Sequence, residues 1–318
     1  MKVRLLRSHR WFHDQLMSSA RRPTTFEWAA PGETPDIAIF IVPQWPDPGA
    51  PDRLRTLRPS DISHLYLFCQ RDNGVLWAPG VFTAAKRNSP RSAAGGFYIH
   101  PDQFTNGSVG PLIEAGRGEE PDILWSFVGT RQTAPTVRGE LLDLGDGRAV
   151  TRDSVTPWGM AERERRRLQA EYVKILVRSR FVACPKGYSP VTHRLFEAMR
   201  AGRVPVILSD AWRPPPLIPW DSCSIRIPEA DVRHLPSILR EREGEATELG
   251  RRARAVWEDR FSPRGMVHQL VESCLLLHEE GWSGRARLEL AVRAVPTTAM
   301  RRTVRADLEQ RWRRFHEA

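Results

Sequence analysis

The chain has 318 residues and 36.3 kDa, with 41% hydrophobic and 27% charged side chains, which excludes long disorder and a fibrous fold. At roughly 100–200 residues per domain, it is long enough for two domains. Its net charge of +10 suggests an anionic partner: nucleic acid, anionic lipid or a phosphorylated small molecule. No run approaches the roughly 20 apolar residues of a membrane helix. The basic start, Met1–Arg10, lacks the apolar segment of a secretory signal.

In chain order, the first 30 residues mix aromatics with arginines and favour no element. Ile37–Val42, between Pro35 and Pro43, is the first predicted strand. A Pro/Asp-rich loop follows, then a strand over His64–Cys69 and a turn at Gln70–Gly74. Gly95–Asp102 holds a further candidate strand. Gly-rich residues 115–121 read as a linker, and Ile123–Val128 as a short buried strand. Then come a charged helix over Ala161–Arg178, a strand at Arg180–Cys184, a helix at Val191–Ala201 and a strand at Val204–Leu208. Ser224–Ile227 reads as a strand; 229–241, 244–260, 263–281 and 284–318 read as helical. Strands alternating with helices predict an α/β protein with parallel sheets.

Cys69, Cys184, Cys223 and Cys274 are scattered, with no C-x-x-C pair, so neither a disulfide framework nor a metal site is expected. Only four of the 48 basic residues are lysines. Residues 282–318 hold nine arginines against four acids, a solvated helix face or an anion-binding surface. No zinc-finger, helix-turn-helix or RNP-type pattern favours nucleic acid.

The stretch from Ser179 to Asp210 carries the chemistry. A strand ending at Cys184 runs into the turn Pro185-Lys186-Gly187-Tyr188-Ser189-Pro190. Ser189 is placed to cap the following helix, Pro190 fits its first turn, and Gly202 fits its stop. A glycine-containing loop at a helix N-terminus favours a phosphate, and ligands of open α/β sheets sit at this edge. Arg194 and Glu197, and His193 and Glu197, share one helix face. A carboxylate there can accept two hydrogen bonds from a ribose diol, and an arginine can neutralise a diphosphate. An intrahelical Arg194–Glu197 pair is the plain alternative.

The run Arg180-Phe181, Cys184-Pro185, Gly187, His193-Arg194, Glu197-Ala198, Gly202 and Pro205-Val206-Ile207-Leu208-Ser209-Asp210 resembles the exostosin family, glycosyltransferase family 47. Ser126-Phe127-Val128-Gly129 followed by Arg138 resembles its upstream segment. Pro216, Trp220-Asp221 and Ile227-Pro228-Glu229 resemble its continuation. The resemblance covers about residues 121–245. It implies a GT-B fold: two Rossmann-like domains facing a cleft, with C-terminal helices packing back on the N-terminal domain. On that reading, 1–118 is the acceptor domain, 119–262 the nucleotide-sugar domain and 263–318 the returning helices. It further implies inverting transfer from a UDP-sugar to a hydroxyl acceptor, with no metal and no cofactor beyond the donor. No D-x-D triplet occurs. The family often has serine where His193 stands, and the animal members' second transferase domain and anchor are expected to be missing, as in a bacterial-type enzyme.

Inverting displacement needs a base at the acceptor hydroxyl and positive groups at the departing diphosphate. The nucleotide-sugar ligands expected are Gly129, Arg131, Arg138, Lys186, Gly187, Tyr188, Ser189, Arg194 and Glu197. Arg138 and Arg194 rest on the resemblance. Arg131 and Lys186 rest on their position in loops after strands. Tyr188 either stacks on the base or packs the loop. Asp72, after an apolar strand and before Asn73-Gly74, is the expected base or else an ordinary turn aspartate; His64, His100 and Asp102 are weaker candidates. The catalytic pair expected is therefore Asp72 and Arg194.

Two other readings stand beside this one. One is a fucosyltransferase-like enzyme using a GDP-sugar. The other is a non-catalytic basic protein on nucleic acid or anionic membrane. The expected location is the cytoplasm, with the basic tail available to the inner face of a membrane. The expected acceptor is a cell-surface glycan, a lipid-linked molecule or a natural product, and no specific nucleic acid is expected as partner.

Overall fold

The computed structural model describes residues 1–6, 26–42, 64–72, 78–98, 108–154 and 160–281. The chain divides into two compact units. One comprises Met1–Phe97, Arg213–Pro216 and Met266 onward; the other comprises Tyr98–Trp212 and Leu217–Gly265.

The first unit carries a six-stranded sheet, every pairing parallel. Its strands are β1 (Lys2–Leu6), β2 (Glu27–Trp28), β3 (Ile37–Val42), β4 (Leu65–Cys69), β5 (Gly80–Phe82) and β6 (Ala93–Gly95), in the order β2-β1-β3-β4-β5-β6. β3 and β4 match the apolar runs read from sequence. They are buried almost end to end, as strands covered on both faces must be. β1 lies in the stretch whose pattern favoured no element. Its Val3, Leu5 and Leu6 are buried, and it pairs with β3 from Val3↔Ile37 to Leu6↔Phe40.

The second unit contains α1 (Val109–Gly116), β7 (Ile123–Gly129), α2 (Pro135–Asp143), β8 (Ala149–Asp153), α3 (Glu162–Val177), β9 (Ser179–Pro185) and α4 (His193–Arg200). β10 (Val204–Leu208), α5 (Trp220–Cys223), β11 (Ile225–Arg226), α6 (Leu235–Glu241) and α7 (Ala246–Val256) follow. Its sheet is also wholly parallel, in the order β11-β10-β9-β7-β8. The core is built on Trp125, Phe127, Phe181, Val204, Val206 and Leu208. The chain leaves β7 for β8 on one side and returns to β9 on the other. The switch point, where open parallel sheets hold ligands, therefore lies between the carboxyl ends of β7 and β9. β8 ends the sheet, half-exposed along its length. The last described helix, α8 (Met266–Glu279), belongs to the first unit and packs on β3, β5 and β6. Residues 284–318, read as helical from sequence, lie outside the described residues.

The division between units falls at Phe97/Tyr98, not at 118/119. The reason is α1, which buries Val109 and Ile113 and packs along α3. The Gly-rich stretch 115–121 is thus the end of α1 and the approach to β7. α4 begins at His193, two residues later than expected, with Thr192 at its N-cap and no side-chain cap hydrogen bond. Ser189 and Pro190 are buried loop residues instead, and the Ser189 carbonyl accepts the Gly187 N–H at 2.9 Å. The C-terminus is as expected. Gly202 adopts φ 69°, its N–H reaches the Met199 carbonyl at 3.0 Å, and the Arg203 N–H reaches the Ala198 carbonyl at 2.9 Å. These are the two bonds of a Schellman stop.

Candidate functional site

The switch point of the second unit gathers most of the residues singled out from sequence. Arg138 rises from α2, the helix after β7, and is only 7% exposed. Its Nε donates to the Lys186 carbonyl beyond β9 at 2.8 Å, and its Nη1 donates to the Thr130 carbonyl at 3.1 Å. Arg194 rises from α4, the helix after β9, and its Nη2 donates to the Val128 carbonyl in β7. Both guanidinium groups lie against the Phe127 ring, with carbon-to-centroid distances of 5.8 Å for Arg138 and 4.8 Å for Arg194. Among the described residues, neither forms a salt bridge with a carboxylate.

Two glycines make room for this arrangement. A side chain at Gly129 would put its Cβ 2.8 Å from Arg194 Nη2 and 3.1 Å from the Phe127 ring. One at Gly187 would meet Arg138 Nη2 at 3.0 Å. Burial, and behind it the like charge of Arg194, pull the Arg138 pKa down to about 9. A bound anion would remove both penalties.

Glu197, one turn along α4 from Arg194, is 6% exposed and accepts a hydrogen bond from the Tyr172 hydroxyl at 2.5 Å. Burial, then the Glu197 charge, push the Tyr172 pKa well above its ordinary value, so the phenol stays a donor. Arg194 also lies 5.9 Å from the Tyr172 ring centroid. Lys186 Nζ reaches Glu229 Oε2 at 2.5 Å. Glu229 in turn joins the loop after β10, its Oε1 accepting the Asp210 N–H at 3.1 Å. Tyr188 stands out at the loop tip, 76% exposed. His193 stacks on Tyr98, ring centroids 3.7 Å apart. Cys184, beside the crevice in β9, is no nucleophile, because burial pushes its thiol to about 12.

Other expectations fare differently. Arg131 pairs with Asp153 at 2.8 Å and with Asp143 at 3.2 Å, all three side chains being largely exposed. Ser189 is a buried loop residue and not a helix cap. Asp72 follows the carboxyl end of β4 in the first unit and is half-buried. His64 precedes that strand, with Nδ1 3.2 Å from the Asp36 carbonyl oxygen. It therefore stands at the amino edge, the wrong edge for a base. His100 and Asp102 lie outside the described residues. Sequence reading missed Tyr172, which nothing in the charged α3 pattern marks, and gave Glu229 no role although it was quoted in the downstream resemblance.

A doubly covered parallel sheet with a basic, glycine-lined crevice at its switch point defines the second unit as Rossmann-like. Residues 98–242, most of this unit, match the model of the Exostosin GT47 domain. Among curated proteins, the chain is 42% identical over 72 residues to a probable glucuronosyltransferase of Oryza sativa subsp. japonica, which covers 22% of this chain and 17% of that protein. It is 37% identical over 71 residues to the Exostosin-1 homolog of Caenorhabditis elegans, covering 22% and 19% respectively. The matched stretch thus spans less than a fifth of either relative. Among solved structures, Anabaena HepE in complex with UDP aligns over 76% of this chain and 72% of its own, at TM-score 0.36 and 12% identity. No described helix is long and apolar enough to cross a membrane.

Proposed function

We propose that the chain is an inverting, metal-independent glycosyltransferase of GT-B organisation, moving a sugar from a UDP-sugar to a hydroxyl acceptor. The observation that carries this reading is the pair Arg138 and Arg194, partly desolvated at the switch point beside Gly129 and Gly187. Two guanidinium groups without a carboxylate partner match the doubly charged diphosphate of a nucleotide sugar. The start of α4, without a side-chain cap bond, adds the positive end of its dipole.

In this assignment Glu197, held by Tyr172, accepts the ribose hydroxyls, and exposed Tyr188 stacks on the base. The acceptor hydroxyl attacks the anomeric carbon from the face opposite the diphosphate. The carbon–oxygen bond to the diphosphate breaks with its electron pair, and Arg138 and Arg194 stabilise the charge that develops there. Asp72, from the first unit, takes the hydroxyl proton. Lys186, already neutralised by Glu229, orders the loop more than it binds anion.

Calorimetric titration of UDP and GDP in EDTA, against wild type and Glu197→Ala, tests the reading. UDP binding that survives EDTA and collapses in the variant is expected. Selective GDP binding would redirect the assignment to a GDP-sugar enzyme, and binding of neither would refute the donor site. The sugar panel begins with UDP-glucuronate, because the similar rice protein is described as a glucuronosyltransferase.

A further inference from the structure

The first unit carries an ordered basic loop that the proposed reaction does not use. Residues 83–92 join β5 to β6 and are gathered around Arg213. Arg213 can come close because Gly95 in β6 has no side chain. A Cβ there would fall 2.3 Å from the carbonyl oxygens of both Arg213 and Pro214. The Arg213 N–H donates to the Ala85 carbonyl at 3.2 Å. Its guanidinium reaches four more carbonyls. Nη1 donates to Pro90 at 2.9 Å and to Ala93 at 2.6 Å, and Nη2 donates to Arg87 at 2.9 Å and to Ser89 at 2.5 Å. The tip is a closed turn: the Ser89 N–H donates to the Lys86 carbonyl and the Lys86 N–H to Ser89 Oγ, each at 2.9 Å.

This anchoring decides what the loop shows to the outside. A trans peptide places its N–H opposite its carbonyl. With the Arg87 and Pro90 carbonyls turned onto Arg213, the N–H groups of Asn88 and Arg91 point away from it, and neither has a partner among the described residues. The side chains of Lys86, Arg87 and Arg91 are exposed. From Ala78 to Phe97 the chain has no aspartate or glutamate. Among the described residues, none of these three cations pairs with a carboxylate. The partial negative charge of four carbonyls is thus turned inward, while N–H donors and three unpaired cations are left on the outside.

We propose that the loop from Lys86 to Arg91 is a docking surface for a membrane of anionic phospholipid. Three exposed cations on one short, fixed loop suit a broad anionic surface more than a single enclosed ion. The loop exposes no large apolar side chain, so the contact is with headgroups and not with acyl chains. It exposes no aromatic ring on which a base could stack, which favours a membrane over a single-stranded nucleic acid. Each cation brought to an anionic leaflet is worth about a fivefold gain in partitioning, so the three together are worth on the order of 100-fold. Contact of this kind is weakened by salt. The surface is independent of the donor crevice, so it stands or falls apart from the transferase reading.

Co-sedimentation of the full chain with vesicles tests it. One set is phosphatidylcholine alone, and the other is an equimolar mixture of phosphatidylcholine and phosphatidylglycerol. Binding to the anionic set only, released by high salt, is expected. The triple variant Lys86→Gln, Arg87→Gln, Arg91→Gln should partition at least tenfold less at unchanged melting temperature, because all three side chains are exposed. A duplex DNA competitor forms the last arm. Absence of binding to anionic vesicles, or binding indifferent to the triple variant, overturns the proposal. Preferential binding to DNA that is lost in the same variant also overturns it and gives the loop to nucleic acid.

Discussion

Arg138 and Arg194 are strapped across each other's strands. Arg138, on the helix after β7, bonds the Lys186 carbonyl beyond β9, and Arg194, on the helix after β9, bonds the Val128 carbonyl of β7. Phe127 lies against both. Each guanidinium thus fixes the loop that the other approaches, and the crevice is pre-shaped before any anion arrives. The barrier to such a site is bringing two like charges together, and the backbone carbonyls and the aromatic ring offset part of that repulsion.

This mutual support predicts non-additive losses. Arg138→Gln and Arg194→Gln are each expected to weaken UDP binding about 10- to 100-fold, the range for a charged hydrogen bond of 1.5–3 kcal/mol. The double variant should lose less than the product of the two, because the first change already loosens both loops. Calorimetry on the four proteins measures the coupling, and strict additivity would refute the shared role.

The depressed pKa of Arg138 sets an alkaline limit. In the unliganded protein its guanidinium loses a proton near pH 9, whereas a bound diphosphate holds that proton on. The bound state therefore carries more protons, so UDP affinity falls as pH rises through about 9. At the other end, affinity rises through about pH 6 as the terminal phosphate completes its ionisation. A titration series from pH 5.5 to 10 should give a plateau between these limits. A flat profile to pH 10 would contradict the assignment.

Tyr172→Phe removes a single hydroxyl from Glu197. A buried carboxylate that loses a donor costs about 1–3 kcal/mol, which lowers the melting temperature by several degrees. UDP affinity should fall about tenfold, while uridine-free pyrophosphate binding should not change. That split separates a positioning role at the ribose from a general loss of structure.

Asp72→Asn tests the base. Turnover should fall 100-fold or more, the usual contribution of a positioned proton acceptor, with UDP affinity little changed because the proposed role of Asp72 is toward the acceptor hydroxyl. Unimpaired turnover would return Asp72 to an ordinary turn residue.

Much of the second unit was readable because its strands are buried on both faces and appear as apolar runs bounded by Gly, Pro and charge. Ile123–Gly129, Ser179–Pro185 and Val204–Leu208 are cases where local pattern and tertiary burial agree. β1 was not readable, since Lys2 and Arg4 break the apolar run while Val3 and Leu5 are buried by neighbours distant in sequence. Arg138, Arg194 and Glu197 could be nominated by spacing and resemblance. Tyr172 could not, because its relation to Glu197 spans 25 residues and depends on how α3 lies over the sheet. That Ser189 does not cap α4, and that Arg131 pairs with Asp153 and Asp143, could not be read for one reason. Position after a strand says which edge a residue occupies, not which neighbour takes up its side chain.

The pairing of Arg131 with Asp153 has its own consequence. Asp153 closes β8, the outermost strand of the second sheet, whose outer backbone groups would otherwise be open to a strand from another copy. Beside it Arg152 lies 3.7 Å from Glu171, and Arg131 reaches on to Asp143. Any chain adding itself to β8 would have to strip water from this ionic fringe. Charged side chains along an outermost strand are a usual means of discouraging such sideways growth.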